Sequence, residues 1–80
     1  MVTIVVVYGT SWCPDVHRSR KFLDKKGVSY KYIDVDQDEE AAQTVRDMNN
    51  GKRKVPTIVF TDDTILVEPS NKELATKLGL

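Results

Sequence analysis

The hydrophobic and polar positions of this 80-residue chain follow two spacings in turn, and the change of spacing predicts alternating strands and helices. Residues 4–8 form a continuous β-branched run closed by Gly9, which is typical of a strand buried on both faces of a sheet. Residues 14–27 form a polar, helix-favouring stretch that begins with proline and ends with glycine. Residues 28–36 are rich in Tyr, Val and Ile and predict a second strand.

The second half of the chain predicts one more helix, a hairpin and a final helix. Residues 38–49 have helical spacing. Their inward positions are Ala42, Val45 and Met48. Two short strands, residues 57–61 and 64–68, are joined tightly as a hairpin. Ser70 and Glu73 have the spacing of a capping box and open the final helix. The predicted order is therefore βαβαββα in a single domain, residues 1–80.

The first strand, helix and second strand form a βαβ unit, and the direction of this unit predicts where a ligand would bind. Such crossovers are right-handed and place their two strands parallel. The loop of residues 9–13 then lies at the carboxyl edge of the sheet, which is the usual position of a ligand site in α/β proteins.

Composition narrows the classes of function. Twelve Lys and Arg balance twelve Asp and Glu, so we expect no nucleic-acid partner, and the apolar run at the N-terminus is too short to span a membrane. One cysteine allows neither an internal disulfide nor a pair of cysteine metal ligands, so we expect no metal site. We expect the protein to be cytoplasmic, because thiols stay reduced in that compartment. We also expect it to be a monomer.

Cys13 is the residue that most directly points to chemistry. It lies between Trp12 and Pro14, where proline suits the first position of a helix and Cys13 becomes its N-cap. Open backbone N–H groups and the helix dipole there favour the thiolate, although Asp15 opposes this locally. The alternative is a small buried hydrophobic residue, which would be expected inside an apolar run. His17, four residues further on, either influences the thiolate or is a solvated helix residue.

Pro56 is the second notable position, because proline removes one hydrogen-bond donor from a strand and is tolerated at strand ends and bends. The residues before it, Lys52, Arg53 and Lys54, are either a solvated loop or a site for a carboxylate. Sequence alone leaves open whether the Val55–Pro56 bond is cis, since cis bonds are about 5–6% of X-Pro bonds in folded proteins.

The chain resembles the glutaredoxin branch of the thioredoxin superfamily over its whole length. The resemblance rests on the predicted order of elements, on Trp-Cys-Pro at the first helix and on Val-Pro-Thr at the third strand. Within this branch, the chain looks most like mycoredoxins and related bacterial proteins, whose thiol partner is mycothiol. The resemblance implies the thioredoxin/glutaredoxin fold, with a four-stranded mixed sheet flanked by three helices. It also implies a cis Val55–Pro56 bond beside the sulfur, with the Val55 backbone pairing with the bound thiol compound.

The same resemblance assigns residues to the small thiol. Trp12 and Pro14 would flank the groove, while Arg53, Ser70 and Asn71 correspond to the family's carboxylate-binding positions. This chain has Glu-Pro-Ser-Asn-Lys before its last helix, where glutaredoxins often have glycines and paired acids. The choice between glutathione and mycothiol therefore stays open.

The functional hypothesis is monothiol exchange at Cys13, because Val16 stands where dithiol relatives have a second cysteine. The chain would reduce mixed disulfides of oxidised or S-thiolated proteins with a low-molecular-weight thiol, mycothiol or glutathione, and with no tightly bound cofactor. One alternative is carriage of an iron–sulfur cluster by two chains and two small thiols. Another is a thioredoxin-fold module that binds a partner without turnover.

Overall fold

The alternation of apolar strands and amphipathic helices produces a sheet covered on both faces. A computed structural model describes residues 2–80 of the chain. The strands are β1 (Ile4–Gly9), β2 (Lys31–Asp34), β3 (Thr57–Phe60) and β4 (Ile65–Val67). The helices are α1 (Pro14–Lys25), α2 (Glu39–Met48) and α3 (Asn71–Leu78). These elements confirm the order βαβαββα and the mixed four-stranded sheet.

The sheet has the strand order β2-β1-β3-β4, and its directions bring three loops to one edge. β1 pairs with β2 in parallel, as the βαβ unit predicts. β3 is antiparallel to β1, with Tyr8 opposite Thr57, and β4 is antiparallel to β3. The end of β1, the end of β2 and the start of β3 therefore meet at the same edge of the sheet.

The core is divided by the sheet into two clusters. The first joins Leu23 of α1 and Leu74 of α3 to the sheet residues Ile4, Val7, Ile58 and Phe60. The second joins Ala41, Ala42 and Val45 of α2 to Val35, and Tyr8, Ile33 and Val55 pack against it. The predicted inward residues of α2 agree at Ala42 and Val45, whereas Met48 is half-buried.

β2 is shorter than the predicted residues 28–36. Gly27 has a left-handed φ of 70°, and the Val28 N–H then donates to the Leu23 carbonyl at 3.0 Å. The residues just after α1 therefore complete the end of that helix and do not extend the strand. At the other end, the Gln37 N–H donates to the Asp34 carbonyl at 3.0 Å and turns the chain.

The expectation that β1 is buried on both faces is wrong at Val5, which is 49% exposed. The pairing with β3 passes from Ile4–Phe60 directly to Val6–Val59, so Val5 has no opposite residue. An extra residue of this kind bends a strand and redirects its side chain. In the remainder of β1, Ile4, Val6, Val7 and Gly9 are buried and Tyr8 is half-buried.

The hairpin and the last helix follow their local signals. The first predicted strand loses Thr61 and the second loses Thr64 and Glu68. The turn between them is closed by the Phe60 N–H, which donates to the Thr64 carbonyl at 2.9 Å. Asp63 in this turn has a φ of 66°. Ser70 and Glu73 form the predicted capping box at the start of α3.

Candidate active site

Cys13 is the N-cap residue of α1, with extended backbone angles and Pro14 as the first helical residue. Its carbonyl accepts the first backbone bond of the helix, from the His17 N–H at 3.1 Å. The sulfur makes no capping hydrogen bond with the helix N–H groups. It is directed instead towards the segment before β3, where Cys13 Sγ lies 4.0 Å from the Val55 carbonyl oxygen. Cys13 as a whole residue is half-buried, at the edge of the sheet where β1 ends.

The segment opposite Cys13 is held firmly in place. The Val55–Pro56 peptide bond is cis, and Pro56 is fully buried. The Pro56 carbonyl accepts from the Glu68 N–H at 2.8 Å, which ties it to the strand pair β3–β4. The Thr57 hydroxyl donates to the Lys54 carbonyl at 2.7 Å. These bonds fix the backbone of Val55 beside the sulfur.

Val16, three residues after Cys13, is part of the core. It is 1% exposed. A Cβ atom placed on Gly9 would lie only 2.7 Å from Val16 Cγ1, so the glycine allows β1 and α1 to approach closely. Position 16 is therefore a tightly packed contact between β1 and α1.

Asp36 joins two of the predicted site residues. The Trp12 indole N–H donates to Asp36 Oδ2 at 2.8 Å. The guanidinium of Arg53 forms an ion pair with the other carboxylate oxygen, Asp36 Oδ1. These contacts, from Arg53 first and Trp12 second, lower the pKa of Asp36 below its usual value. One carboxylate thus links the loop before Cys13 to the basic segment before Pro56.

The fold places Asp36 where this link is possible. Asp36 follows the end of β2, and the Asp36 N–H donates to Asp34 Oδ1 at 2.8 Å. The buried Val35 is tied to β1 through its N–H, which donates to the Gly9 carbonyl at 2.9 Å. Sequence analysis did not single out Asp36. The available signal was its position as the last residue of the predicted second strand, which runs parallel to β1 and ends at the edge where ligands bind.

Ser70 and Asn71 occupy the start of α3, and their polar groups do not join the Asp36 link. The Ser70 hydroxyl accepts from the Glu73 N–H at 3.1 Å, so it serves as the helix cap. Asn71 Oδ1 is buried without a hydrogen-bond partner among residues 2–80. Arg18 of α1 holds this region by donating to the Pro69 carbonyl at 2.8 Å. Sequence analysis also missed this role of Arg18.

Trp12, Pro14 and His17 all lie at the surface of the protein. Trp12 is 67% exposed and lies at the surface of the site, and Pro14 is exposed. His17 is exposed, and its imidazole contacts the Ser11 carbonyl. Within residues 2–80, no group of three His, Cys, Asp or Glu side chains is placed to hold a metal ion. No helix in that part of the chain is long and apolar enough to cross a membrane.

A mixed sheet with an accessible cysteine at the start of the first helix, next to a proline that precedes the third strand, defines a thioredoxin-fold redox protein. The sequence profile of the glutaredoxin family matches residues 5–65, and the chain belongs to this family. Members of this family are thiol–disulfide oxidoreductases, and so is this protein.

Similar proteins with glutaredoxin or mycoredoxin names support this family assignment. Mycoredoxin 1 of Corynebacterium glutamicum is 43% identical over 74 residues, which cover 92% of this chain and 91% of the relative. A glutaredoxin-like protein of Mycobacterium tuberculosis is 35% identical over 79 residues, covering 98% and 94% of the two chains. The crystal structure of a glutaredoxin from Archaeoglobus fulgidus superposes with a TM-score of 0.80 at 24% identity, covering 98% of this chain and 87% of that one. This last similarity confirms the fold.

Proposed function

We propose that this protein reduces mixed disulfides between proteins and a low-molecular-weight thiol by monothiol exchange at Cys13. The observation that supports this most strongly is the placement of the chain's only cysteine at the N-cap of α1, with its sulfur 4.0 Å from the Val55 carbonyl. A core valine stands three residues later, so the second sulfur of the reaction must come from solution.

The exchange has two steps, and each is an attack of a thiolate on a disulfide. In the first step, the Cys13 thiolate attacks the small thiol's sulfur in the mixed disulfide. A bond forms between Cys13 and the small thiol, and the protein substrate leaves as a thiolate. In the second step, another small thiolate attacks that same small-thiol sulfur, which regenerates the Cys13 thiolate and releases the disulfide of two small thiols.

The predicted site residues take roles around this exchange. In the proposal, the Val55 backbone pairs with the bound thiol compound while Pro56 fixes that backbone. Trp12 and Pro14 flank the sulfur, and Arg53 approaches from the basic segment. Ser70 and Asn71 bind polar groups of the small thiol from the start of α3. Ser70 can do so only through groups that are not already used in its cap.

Mycothiol is the thiol we place first, because the highest sequence identity reported above, 43%, is to a protein named mycoredoxin. Glutathione is the second candidate. We further propose that residues 1–80 act as a single-domain monomer in the cytoplasm, on S-thiolated or otherwise oxidised proteins.

The decisive experiment compares two substrates and two proteins. The disulfides of mycothiol and of glutathione with the same cysteine-containing peptide are each reduced by the wild type and by Cys13→Ser, with the matching thiol as reductant. We expect turnover by the wild type and none by the variant, with unchanged thermal unfolding. Turnover by Cys13→Ser would refute the proposed chemistry.

The two alternatives give different results. If the wild type reduces neither disulfide while Cys13 still reacts with iodoacetamide, the protein is a binding module. If reconstitution with iron, sulfide and the small thiol yields a stable visible absorption and a chain dimer, cluster carriage is favoured. We expect no such cluster, because Pro14 resembles the proline of catalytic family members.

A further inference from the structure

Arg53 is positioned as an anion-binding residue, yet its charge is already engaged. Its guanidinium is paired with Asp36, and both side chains are only about one-third exposed, at 37% and 32%. The same carboxylate accepts the Trp12 indole N–H. A carboxylate ligand would have to displace Asp36 from Arg53 or bind close to its negative charge. The site therefore opposes an anionic co-substrate at the residue that sequence analysis expects to attract one.

We propose that Asp36 is a specificity-determining residue that selects an uncharged, hydroxyl-rich low-molecular-weight thiol over an anionic one. This inference rests on the proposed function, since it concerns the thiol that exchanges at Cys13. It assigns the selection to an electrostatic block at Arg53, together with a fixed position of the Trp12 ring.

The two candidate thiols differ in net charge, which is the property that the Asp36 carboxylate would distinguish. Glutathione carries two carboxylates and one ammonium group, so it has a net negative charge at neutral pH. Mycothiol has an N-acetylated cysteine in amide linkage to an aminosugar and an inositol, so its non-thiol part is uncharged. A fixed carboxylate repels the first and has little effect on the second. Like charges in this position reduce the affinity for a wrong ligand more than they change the affinity for a neutral one.

Trp12 supplies the complementary attraction. Its side chain is 67% exposed next to Cys13, and its one polar atom is occupied by Asp36. The indole therefore presents an apolar face whose orientation is fixed by a hydrogen bond. Such a face suits the C–H surface of a sugar ring, whose hydroxyl groups remain free to contact water or backbone. The carboxylate thus rejects charge and orients the packing surface at the same time.

Lys52 and Lys54 do not cancel this block. Both are exposed neighbours of Arg53 along the chain, and neither is part of the Arg53–Asp36 ion pair. Exposed charges of this kind are screened by solvent and salt. They would attract an anionic thiol equally in the wild type and in an Asp36 variant, so their effect is constant in a comparison of the two.

The test uses Asp36→Asn with Asp62→Asn as a matched control. An asparagine at position 36 can still accept the Trp12 N–H through its oxygen, while its NH₂ group replaces the oxygen that binds Arg53. The variant therefore releases the charge of Arg53 and keeps the indole in place. Asp62 is also paired with a cation, Lys77, but it belongs to the β3–β4 turn, outside the proposed site. Asp36→Ala adds a third variant, which releases Trp12 as well.

The measured quantity is the ratio of kcat/KM for the glutathione disulfide to kcat/KM for the mycothiol disulfide of one peptide. We expect Asp36→Asn to raise this ratio about three- to tenfold at low salt, as one charge near a partly exposed pair would. The gain should appear in KM and shrink as NaCl is added. Asp62→Asn should leave the ratio at the wild-type value. In Asp36→Ala the ratio should also rise, and kcat/KM for the mycothiol disulfide should fall.

A second readout keeps this inference separate from the proposed function. Each protein is equilibrated with a fixed ratio of thiol to its disulfide, and the fraction of Cys13 held as mixed disulfide is measured by mass spectrometry. This needs no turnover. If the wild type turns over neither peptide disulfide, the proposed function fails, but the mixed-disulfide preference still tests Asp36. An unchanged preference in Asp36→Asn, or an equal change in Asp62→Asn, would overturn the inference.

Discussion

Asp36 and Asp62 form the same kind of contact in two different regions of the molecule. Each follows a strand, Asp36 after β2 and Asp62 after β3, and each forms an ion pair with a basic side chain, Arg53 or Lys77. The contacts lower the pKa of both carboxyls. For Asp62 the pKa falls to about 2, because of its hydrogen bond with Thr64 first and its contact with Lys77 second. By charge alone the two regions would be judged alike.

The partners distinguish the two regions. Asp62 Oδ1 accepts from the hydroxyl of Thr64 at 2.5 Å and from its N–H at 3.2 Å, within the same turn, and Lys77 adds a bond from α3. Asp36 instead binds side chains from two segments that are 24 and 17 residues away. The first carboxylate closes a turn, whereas the second joins two parts of a site. The distribution of partners along the chain indicates function better than the charge does.

Among variants near Asp36 and Cys13, we expect the largest effect from Val16→Cys, which would change the mechanism from monothiol to dithiol exchange. A cysteine three residues after an N-cap cysteine restores the Cys-x-x-Cys spacing, so we expect an internal disulfide with Cys13. Mass spectrometry of the oxidised protein should then show a loss of two hydrogens, and exchange should proceed without a bound small thiol.

Val16→Ala is the matched control, because it removes volume from the same packed contact without adding sulfur. The double variant Val16→Cys/Cys13→Ser should show no internal disulfide. If Val16→Cys keeps two free thiols after oxidation, the packing against Gly9 holds the new side chain away from Cys13, and the expected change of mechanism does not occur.

The part of this architecture that sequence analysis predicts is the part specified by neighbouring residues. Glycine after β1, proline after Cys13 and the Ser70–Glu73 spacing each determine a turn or a helix end locally. The parallel βαβ unit then fixes the edge at which Cys13 lies. The position of Cys13 follows from this reasoning without any knowledge of tertiary contacts.

Contacts between distant segments could not be predicted in this way. Asp36 was assigned to a strand, and its link to Trp12 and Arg53 depends on where three loops meet after folding. The late start of β2 was missed for a related reason. Val28 has a strand-forming side chain, but its N–H completes the preceding helix and not a sheet. In both cases tertiary or neighbouring hydrogen bonds outweigh the local propensity.

At the opposite end of the molecule, Phe60→Ala should change the fold's stability and not its specificity. Phe60 is 1% exposed, and Lys77 Nζ lies 5.6 Å from the centre of its ring. Removing a buried phenylalanine costs about 3–5 kcal/mol. Urea unfolding should show this loss, while the substrate ratio measured under native conditions stays the same. Val5→Ala, at an exposed position of β1, should change stability by less than about 0.5 kcal/mol. Equal losses in both variants would contradict the placement of Phe60 in the core and of Val5 at the surface.

Ser70→Ala should have a smaller effect, which tests whether Ser70 acts mainly as a cap. Its hydroxyl accepts from the Glu73 N–H, and Glu73 Oε1 accepts from the Ser70 N–H at 3.0 Å. Loss of such a cap costs about 0.5–2 kcal/mol. Ser70→Asp keeps an acceptor at the cap and should recover most of the stability in urea unfolding. If neither variant changes stability, the hydroxyl is free for the small thiol.

The smallest expected effect is the pH dependence that Asp62 contributes to stability, and it separates the two carboxylates most directly. The folded state lowers the pKa of Asp62 from 3.8 to about 2, so the unfolded state binds more protons between these values. The contribution is therefore present above pH 3.8 and lost as the pH falls towards about 2. Since asparagine resembles the protonated carboxyl, the stability difference between wild type and Asp62→Asn should shrink over this range in acid titrations of urea unfolding. A difference that stays constant with pH would show that the carboxylate charge does not stabilise the turn.

Asp36→Asn should change stability in the same direction as Asp62→Asn, because the pKa of Asp36 is also lowered. It alone should change the choice of thiol, so a pair of variants with the same charge change distinguishes a turn from a site.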